Sequence, residues 1–198
     1  MNYLAHAYLS FNQAEILTGN MISDFVKGKK KFDFNTGIQK GIALHRAIDE
    51  FTDFHPVTRE AKAYFRKDYR LYAGAFIDVV YDHFLANDIN EFANETALQS
   101  FCQSTYRSLQ NDIDGLPVKF LQILPYMQQH NWLFHYRYKE GIEKSFGGLV
   151  RRAAYLTESA TAYHLFERHY DELGECYQLF FPELKKFAFH RLCELNNT

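Results

Sequence analysis

The sequence predicts an all-α protein, a single-domain helical bundle, and three observations support this fold class. Apolar residues recur at helical spacing along almost the whole chain, and no segment shows a convincing strand alternation. Proline and glycine are scarce, at 4 and 10 of 198 residues, whereas a β-sandwich or barrel needs many turns rich in these residues. No linker, internal repeat or change in composition divides residues 1–198, so one domain is expected to span them.

The first half of the chain is expected to contain a short segment followed by four helices. The segment lies at about 2–10, and the helices at about 12–26, 37–54, 56–67 and 71–86. A basic loop at 27–31, which Gly28 bounds, separates the first two helices. His55-Pro56 closes the second helix, and Pro56 can open the third because proline suits the first helical turn.

The second half is predicted to be six helices with breaks at glycines. The helices lie at about 94–110, 117–129, 131–140, 142–156, 158–173 and 175–194. The breaks are expected at 114–117, Gly141, 147–148 and Gly174, although Gly147-Gly148 can instead kink one longer helix.

Charge, cysteine content and hydropathy exclude several classes of protein. The 22 basic and 24 acidic residues nearly cancel, whereas nucleic-acid-binding domains are strongly basic. The three cysteines lack zinc-site spacing and are interpreted as reduced thiols. The N-terminal residues lack the basic region of a signal peptide, and no apolar stretch is long enough to span a bilayer. The expectation is a cytoplasmic protein with no nucleic-acid or membrane partner.

The most informative pattern is the presence of ionisable side chains within apolar, aromatic-rich helices. Residues 76–85 are apolar on every face except for Asp78, Asp82 and His83, and a helix of this kind is usually buried. Asp78 and Asp82 share one face, and His83 lies about 100° around the helix from Asp82. Buried carboxylates on one face repel each other, so they require a cation, a proton or a hydrogen-bond network.

Three further segments place polar residues in similar apolar surroundings. They contribute His6, then Asn20 and Asp24, and finally His45, Asp49 and Asp53. If the segments converge, imidazole and carboxylate groups without thiolate form a site that suits Mn²⁺, Fe²⁺, Mg²⁺ or Zn²⁺. Such a centre can lower the pKa of water and polarise a phosphoryl oxygen.

A purely structural interpretation remains open for each of these residues. A single buried histidine or aspartate is more often a satisfied core group, and Asp49 or Asp53 can pair with Arg46 or Arg59. Asp24 can cap a helix end or pair with the neighbouring lysines. The zincin, ferritin-like, Walker A and nucleophile-elbow motifs are all absent from the sequence.

Four N-terminal motifs together resemble the acyl carrier protein phosphodiesterase family. They are NYLAH at 2–6, GNMISDFVKG at 19–28, GIALHRAID at 41–49 and DVVYDHFL at 78–85. The later segments 169–171 and 180–182 also fit, so the resemblance covers nearly the whole chain.

The resemblance implies hydrolysis of the phosphodiester that joins 4′-phosphopantetheine to the carrier-protein serine. It also implies a divalent metal, most often Mn²⁺, with Mg²⁺ or Fe²⁺ possible, and a fold like that of HD phosphohydrolases. The order Asp82-His83 differs from the His-Asp pair of that superfamily. The assigned roles are metal binding by His6, Asp24, Asp78 and Asp82, catalysis by His45, Asp49 and His83, and substrate binding by Asn20, Lys27, Lys29, Lys30 and Arg46.

The expected partner is acyl carrier protein, which is strongly acidic. The lysines at 27–31 follow Asp24 and are expected to steer such a partner to the site; a merely solvated charge run is the alternative. Two other functions stay open. One is an HD-like phosphohydrolase acting on a nucleotide or another small phosphoester, and the other is a non-catalytic helical protein with an aromatic-lined ligand pocket.

Overall fold

The computed structural model describes residues 1–112 and 115–197, and within these ranges the chain is helical with no strand. The all-α prediction is confirmed. The α-helices are α1 Tyr3–Tyr8, α2 Ala14–Ile22, α3 Thr36–Phe54, α4 Pro56–Tyr69, α5 Ala73–Asn87, α6 Glu95–Asn111, α7 Val118–Gln129, α8 Trp132–His135, α9 Lys139–Arg152, α10 Ala160–Arg168 and α11 Tyr170–Asn196. Short 3-10 helices cover Ser23–Phe25, Gly28–Asp33 and Arg70–Tyr72.

Helix α5 is largely buried, as its apolar sequence predicts. It packs against α1, α4, α9 and α11, and Phe76, Val80 and Tyr81 are fully buried. Each large apolar side chain buried in this way contributes about 1.5–3 kcal/mol. Asp82 and His83 are buried in the same helix, so both need polar partners from neighbouring elements.

Helices α2 and α3 pack with their backbones in direct contact. A Cβ added to Gly19 would lie 2.1 Å from the carbonyl oxygen of Ile38, and one added to Gly41 would lie 2.3 Å from that of Ile16. No residue other than glycine fits at either position without a shift of the backbone. This close approach brings Asn20 on α2 next to His45 on α3.

Two of the predicted helix breaks are wrong. Helix α11 runs through Gly174, where a Cβ would lie 3.2 Å from the ring of Phe84. Helix α9 contains Gly141, where a Cβ would lie 1.9 Å from the carbonyl oxygen of His135. Both glycines therefore permit close packing rather than a turn. The helix also continues through 147–148, as one of the two interpretations of those glycines allows.

Other boundaries follow the sequence more closely. Helix α3 ends at Phe54 and α4 begins at Pro56, as predicted. The expected basic loop at 27–31 is instead mostly a 3-10 helix, which begins at Gly28, a residue with a φ of +58°. The expected break at 114–117 begins outside the described residues; α7 starts at Val118.

The junction between α4 and α5 contains an unusual backbone conformation. Arg70 has a φ of 48° and a ψ of −117°, a combination that L-residues other than glycine rarely adopt. None of the described helices combines the length and apolar character that crossing a bilayer requires.

Candidate metal centre

His6, Asp24, His45 and Asp49, which lie on three chain segments, meet at one point. The imidazole rings of His6 on α1 and His45 on α3 stack with their centroids 3.8 Å apart. The Asp49 carboxylate bridges them, with one oxygen 3.1 Å from Nε2 of His6 and the other 3.1 Å from Nε2 of His45. Asp24, which follows α2, places an oxygen 3.3 Å from the same His45 nitrogen.

Asn20 fixes the orientation of both histidines. Its side-chain nitrogen donates to the carbonyl oxygen of His6 at 2.8 Å and to the hydroxyl of Ser10 at 3.1 Å. Its side-chain oxygen therefore accepts a hydrogen bond from Nδ1 of His6 at 2.8 Å. The backbone carbonyl of Asn20 lies 2.7 Å from Nδ1 of His45, and a carbonyl can only accept. Both rings thus carry a proton on Nδ1 and direct Nε2 at the carboxylates.

The two Nε2 atoms provide a test of whether this site suits a cation. Both are buried and neither makes a hydrogen bond, although carboxylate oxygens lie nearby. Lone pairs and carboxylates that face one point repel unless a cation or a proton lies between them. Potential ligand atoms of His6, His45 and Asp49 lie within 4.8 Å of one another. These nitrogen and oxygen donors fit a divalent cation such as Mn²⁺, Fe²⁺, Mg²⁺ or Zn²⁺.

The electrostatics of the cluster place a proton where the cation would bind. Burial lowers the pKa of His45, but interactions with Asp24 and Asp49 outweigh it and raise that pKa to about 9. Burial and the neighbouring His45 lower the pKa of His6 to about 4. Although burial opposes it, contact with both histidines holds the pKa of Asp49 far below its usual range. Without a cation, His45 is therefore the protonated member of the cluster at neutral pH.

Asp78 lies beside this cluster. One of its oxygens is 3.0 Å from the amino nitrogen of Met1, which is also 3.3 Å from Asp49. Burial raises the pKa of Asp78, while the amino group opposes that shift. The structure therefore brings Asp78 next to Asp49 without placing it against either imidazole ring.

Asp82, which the sequence predicts to be a metal ligand, instead binds the backbone of α1. Its two oxygens accept hydrogen bonds from the backbone nitrogens of Leu4 at 2.7 Å and Ala5 at 3.1 Å. These amides belong to the first turn of α1 and have no partner within that helix. Burial raises the pKa of Asp82 to about 7, against the effect of the two amides. Asp82 thus anchors the helix that carries His6.

His83, an expected catalytic residue, lies outside the cluster. Its Nδ1 donates to the carbonyl of Tyr136 at 2.8 Å, and its Nε2 accepts from the Tyr170 hydroxyl at 2.9 Å. Its ring packs edge-on against Phe166, and burial lowers its pKa to about 4. Both ring nitrogens thus have partners within the protein, and the structure does not bring His83 together with His6, His45 and Asp49.

Comparison with known proteins agrees with the motifs. The profile of the family described as "Acyl carrier protein phosphodiesterase" matches residues 1–184. This chain belongs to the acyl carrier protein phosphodiesterase family. Relatives with that name from Yersinia pestis and Escherichia coli are each 30% identical over 191 residues, which cover 96% of this chain and 99% of the relative. No solved structure matches the chain significantly.

The residues expected to bind substrate in this member of the acyl carrier protein phosphodiesterase family fall into two groups. Lys27, Lys29 and Lys30 are exposed, and they follow Asp24 in the chain. Arg46 is exposed and donates to the carbonyl of Val26 at 3.1 Å, which ties α3 to this segment. Asn20 is fully buried and its amide is committed to His6 and Ser10, so it positions the site instead of binding substrate.

Ser10, which the sequence does not single out, completes the support around His6. Its hydroxyl donates to the His6 carbonyl at 2.8 Å and accepts from Asn20. The only signal in the sequence is its position four residues after His6, one turn along the chain. A serine at that spacing is too common to attract notice.

Proposed function

We propose that this protein hydrolyses the phosphodiester between 4′-phosphopantetheine and the serine of holo-acyl carrier protein, using a divalent cation, with Mn²⁺ the expected one. The observation that carries the proposal is the Asp49 carboxylate between two imidazoles whose Nε2 atoms have no hydrogen bond. Membership of the family, whose relatives are named for this activity, supports the choice of substrate.

His6, His45 and Asp49, with Asp24, would hold the cation. When bound, a divalent cation supplies a Lewis acid that polarises a phosphoryl oxygen and lowers the pKa of water. Asn20 and Asp82 keep the ligands in place from the buried side. The side chain of Asp24 is 72% exposed, so the site opens to solvent there and a protein-borne phosphate approaches from that direction.

Asp78 is the candidate for proton handling in place of His83. Its side chain is 29% exposed, and burial raises its pKa, which favours the proton-carrying form that a general acid requires. It neighbours Asp49 and does not contact the imidazoles. We assign Asp78 to orient the attacking water or to return a proton to the leaving serine oxygen.

The acidic carrier protein would approach over the lysines at 27–31, of which three are exposed. Lys27, Lys29 and Lys30 lie within six residues of Asp24 in the chain and face solvent. An acidic partner is attracted to such a surface before contact, which raises its association rate. Together with membership of the family, this surface favours a protein substrate over a free nucleotide, the second function considered from the sequence.

The test is conversion of holo- to apo-acyl carrier protein, followed by mass spectrometry with and without Mn²⁺. We expect Asp49→Ala to abolish the metal-dependent conversion, because it removes the carboxylate shared by both histidines. Asp68→Ala, which changes an exposed carboxylate on α4, serves as the matched control and should keep full activity. Full activity in Asp49→Ala would refute the proposed centre. Hydrolysis of nucleotides without any conversion of holo-carrier protein would refute the proposed substrate.

A further inference from the structure

A cleft of about 450 Å³ opens between α4 and the start of α5. Lys62 and Arg66 on α4 line it, together with Arg70 at the junction and Gly74 in the first turn of α5. Asp53, near the end of α3, completes the wall. Three cationic side chains thus surround one carboxylate.

This cleft adjoins the candidate metal centre on two helices. Asp53 lies one turn after Asp49 on α3, and Gly74 lies one turn before Asp78 on α5. His45, which contacts Asp24, is eight residues before Asp53, or about 12 Å along the helix axis. The cleft therefore lies on the far side of the centre from Asp24 and the lysines that follow it.

The cleft contains two cationic groups that have no ionic partner among the described residues. Lys62 donates to Asp53 at 2.7 Å, which pairs those two charges. Arg66 and Arg70 are exposed, and across residues 1–112 and 115–197 neither forms an ion pair. A guanidinium group binds a carboxylate through two parallel hydrogen bonds. Two unpaired guanidinium groups beside one cleft therefore favour an anionic ligand with several carboxylates.

The lining of the cleft also includes an exposed apolar side chain. Leu71, next to Arg70, lines the cleft and is 98% exposed. Arginine beside a large apolar side chain is typical of protein interfaces, whereas a site for a free ion has no use for an exposed leucine. The composition of the lining therefore favours a protein ligand.

We propose that this cleft is a second contact for the acidic carrier protein, separate from the lysines at 27–31. Carboxylates of the partner bind Arg66 and Arg70, and an apolar side chain of the partner packs on Leu71. This inference rests on the proposed function and adds an orientation to it. A partner that touches both cationic surfaces spans the metal centre, which lies between them, and presents its modified serine there.

The test compares an Arg66→Glu/Arg70→Glu variant with the wild-type enzyme in steady-state hydrolysis of holo-carrier protein. We expect the KM to rise by about tenfold or more with kcat little changed, because reversing charges at a contact weakens association. Arg107→Glu, an exposed arginine on α6, is the matched control and should leave KM unchanged. Hydrolysis of bis(p-nitrophenyl) phosphate should be equal in all three proteins, and circular dichroism melting should show that each is folded.

Several results would overturn the inference. An unchanged KM for holo-carrier protein in the double variant is one of them. Equal losses on the small diester and the carrier protein also count, because the metal centre itself would then be affected. The third is a double variant that loses only its inhibition by inorganic phosphate while its KM for holo-carrier protein stays the same. The cleft would then be a site for small anions.

The two proposals can fail separately. If the wild-type protein does not convert holo-carrier protein at all, the proposed function is wrong. Fluorescence anisotropy with labelled apo-carrier protein then measures docking without turnover. Weaker binding by the double variant than by the wild type and Arg107→Glu would support the cleft as a contact. Equal affinities in the three proteins would overturn it.

Discussion

Asn20 is the residue on which the geometry of the candidate centre most depends. Its side chain holds His6 and its backbone carbonyl holds His45. Groups that orient ligands from behind usually change metal affinity 10–100-fold when they are removed. The side-chain contact is the one that a substitution can remove.

We predict that Asn20→Ala weakens Mn²⁺ binding by about 10–100-fold, because Nδ1 of His6 loses its acceptor and the ring can turn. Isothermal titration calorimetry measures the affinity. Asn90→Ala is the matched control, because Asn90 is exposed and distant in sequence from the site. Unchanged Mn²⁺ affinity in Asn20→Ala would show that Asn20 does not orient His6.

The proton on His45 predicts that metal binding depends on pH. Asp24 and Asp49 raise the pKa of His45 to about 9, so below that pH the cation must displace a proton. His6, whose pKa is lowered to about 4, is already deprotonated at neutral pH. We expect the apparent Mn²⁺ affinity to fall by up to about tenfold for each pH unit below about 9, with one proton released on binding. Calorimetry in buffers of different ionisation enthalpy measures that proton, and a pH-independent affinity with no release would contradict the assignment.

The residues of the cluster were more predictable than their individual roles. The spacing of four residues already puts His45 and Asp49 on one face of α3, and the structure brings them together with His6 and Asp24. The position of Asp82 depends on α1, whose Leu4 is 78 residues away in the chain. Sequence spacing shows which residues share a helix face, but only tertiary packing decides what that face meets.

At the scale of elements, the contact between α2 and α3 holds the two histidine supports in register. We predict that Gly41→Ala lowers the free energy of unfolding by about 2 kcal/mol or more, because its Cβ would lie 2.3 Å from the Ile16 carbonyl oxygen. Gly148→Ala on α9 is the control, since the nearest atom to the added Cβ would be the end of the Arg151 side chain, 3.7 Å away. That change should stabilise the protein by about 0.5–1 kcal/mol. Urea denaturation measures both, and equal effects would contradict the close-contact interpretation.

The difference between a local restraint and a contact with another element explains which helix boundaries the sequence could predict. Pro56 marks a true helix start because its ring restricts local geometry. Gly141 and Gly174 look like breaks, yet each lies within a helix beside another element. Glycine signals either a turn or a close contact, and the chain alone does not separate them.

At the scale of the whole molecule, a net charge of −2 conceals a cationic surface beside the site. We predict that kcat/KM for holo-carrier protein falls by about tenfold between about 50 mM and 500 mM salt, because salt screens attraction between exposed charges. Replacing Lys27, Lys29 and Lys30 by alanine should flatten that dependence.

The matched control for this prediction replaces three exposed lysines elsewhere in the chain. They are Lys119, Lys144 and Lys186. Their removal changes the net charge equally, so a similar flattening in both variants would indicate a general charge effect and contradict steering by the lysines at 27–31.

The backbone conformation of Arg70 affects which residue selection retains at this position. Its backbone, with a φ of 48° and a ψ of −117°, costs an arginine about 1–3 kcal/mol that a glycine would avoid. A chain selected only for stability would replace this residue, whereas a chain selected to bind an acidic partner would keep it. Directed evolution for heat resistance should therefore favour Arg70→Gly. The resulting enzymes should be more thermostable and should bind the carrier protein less tightly.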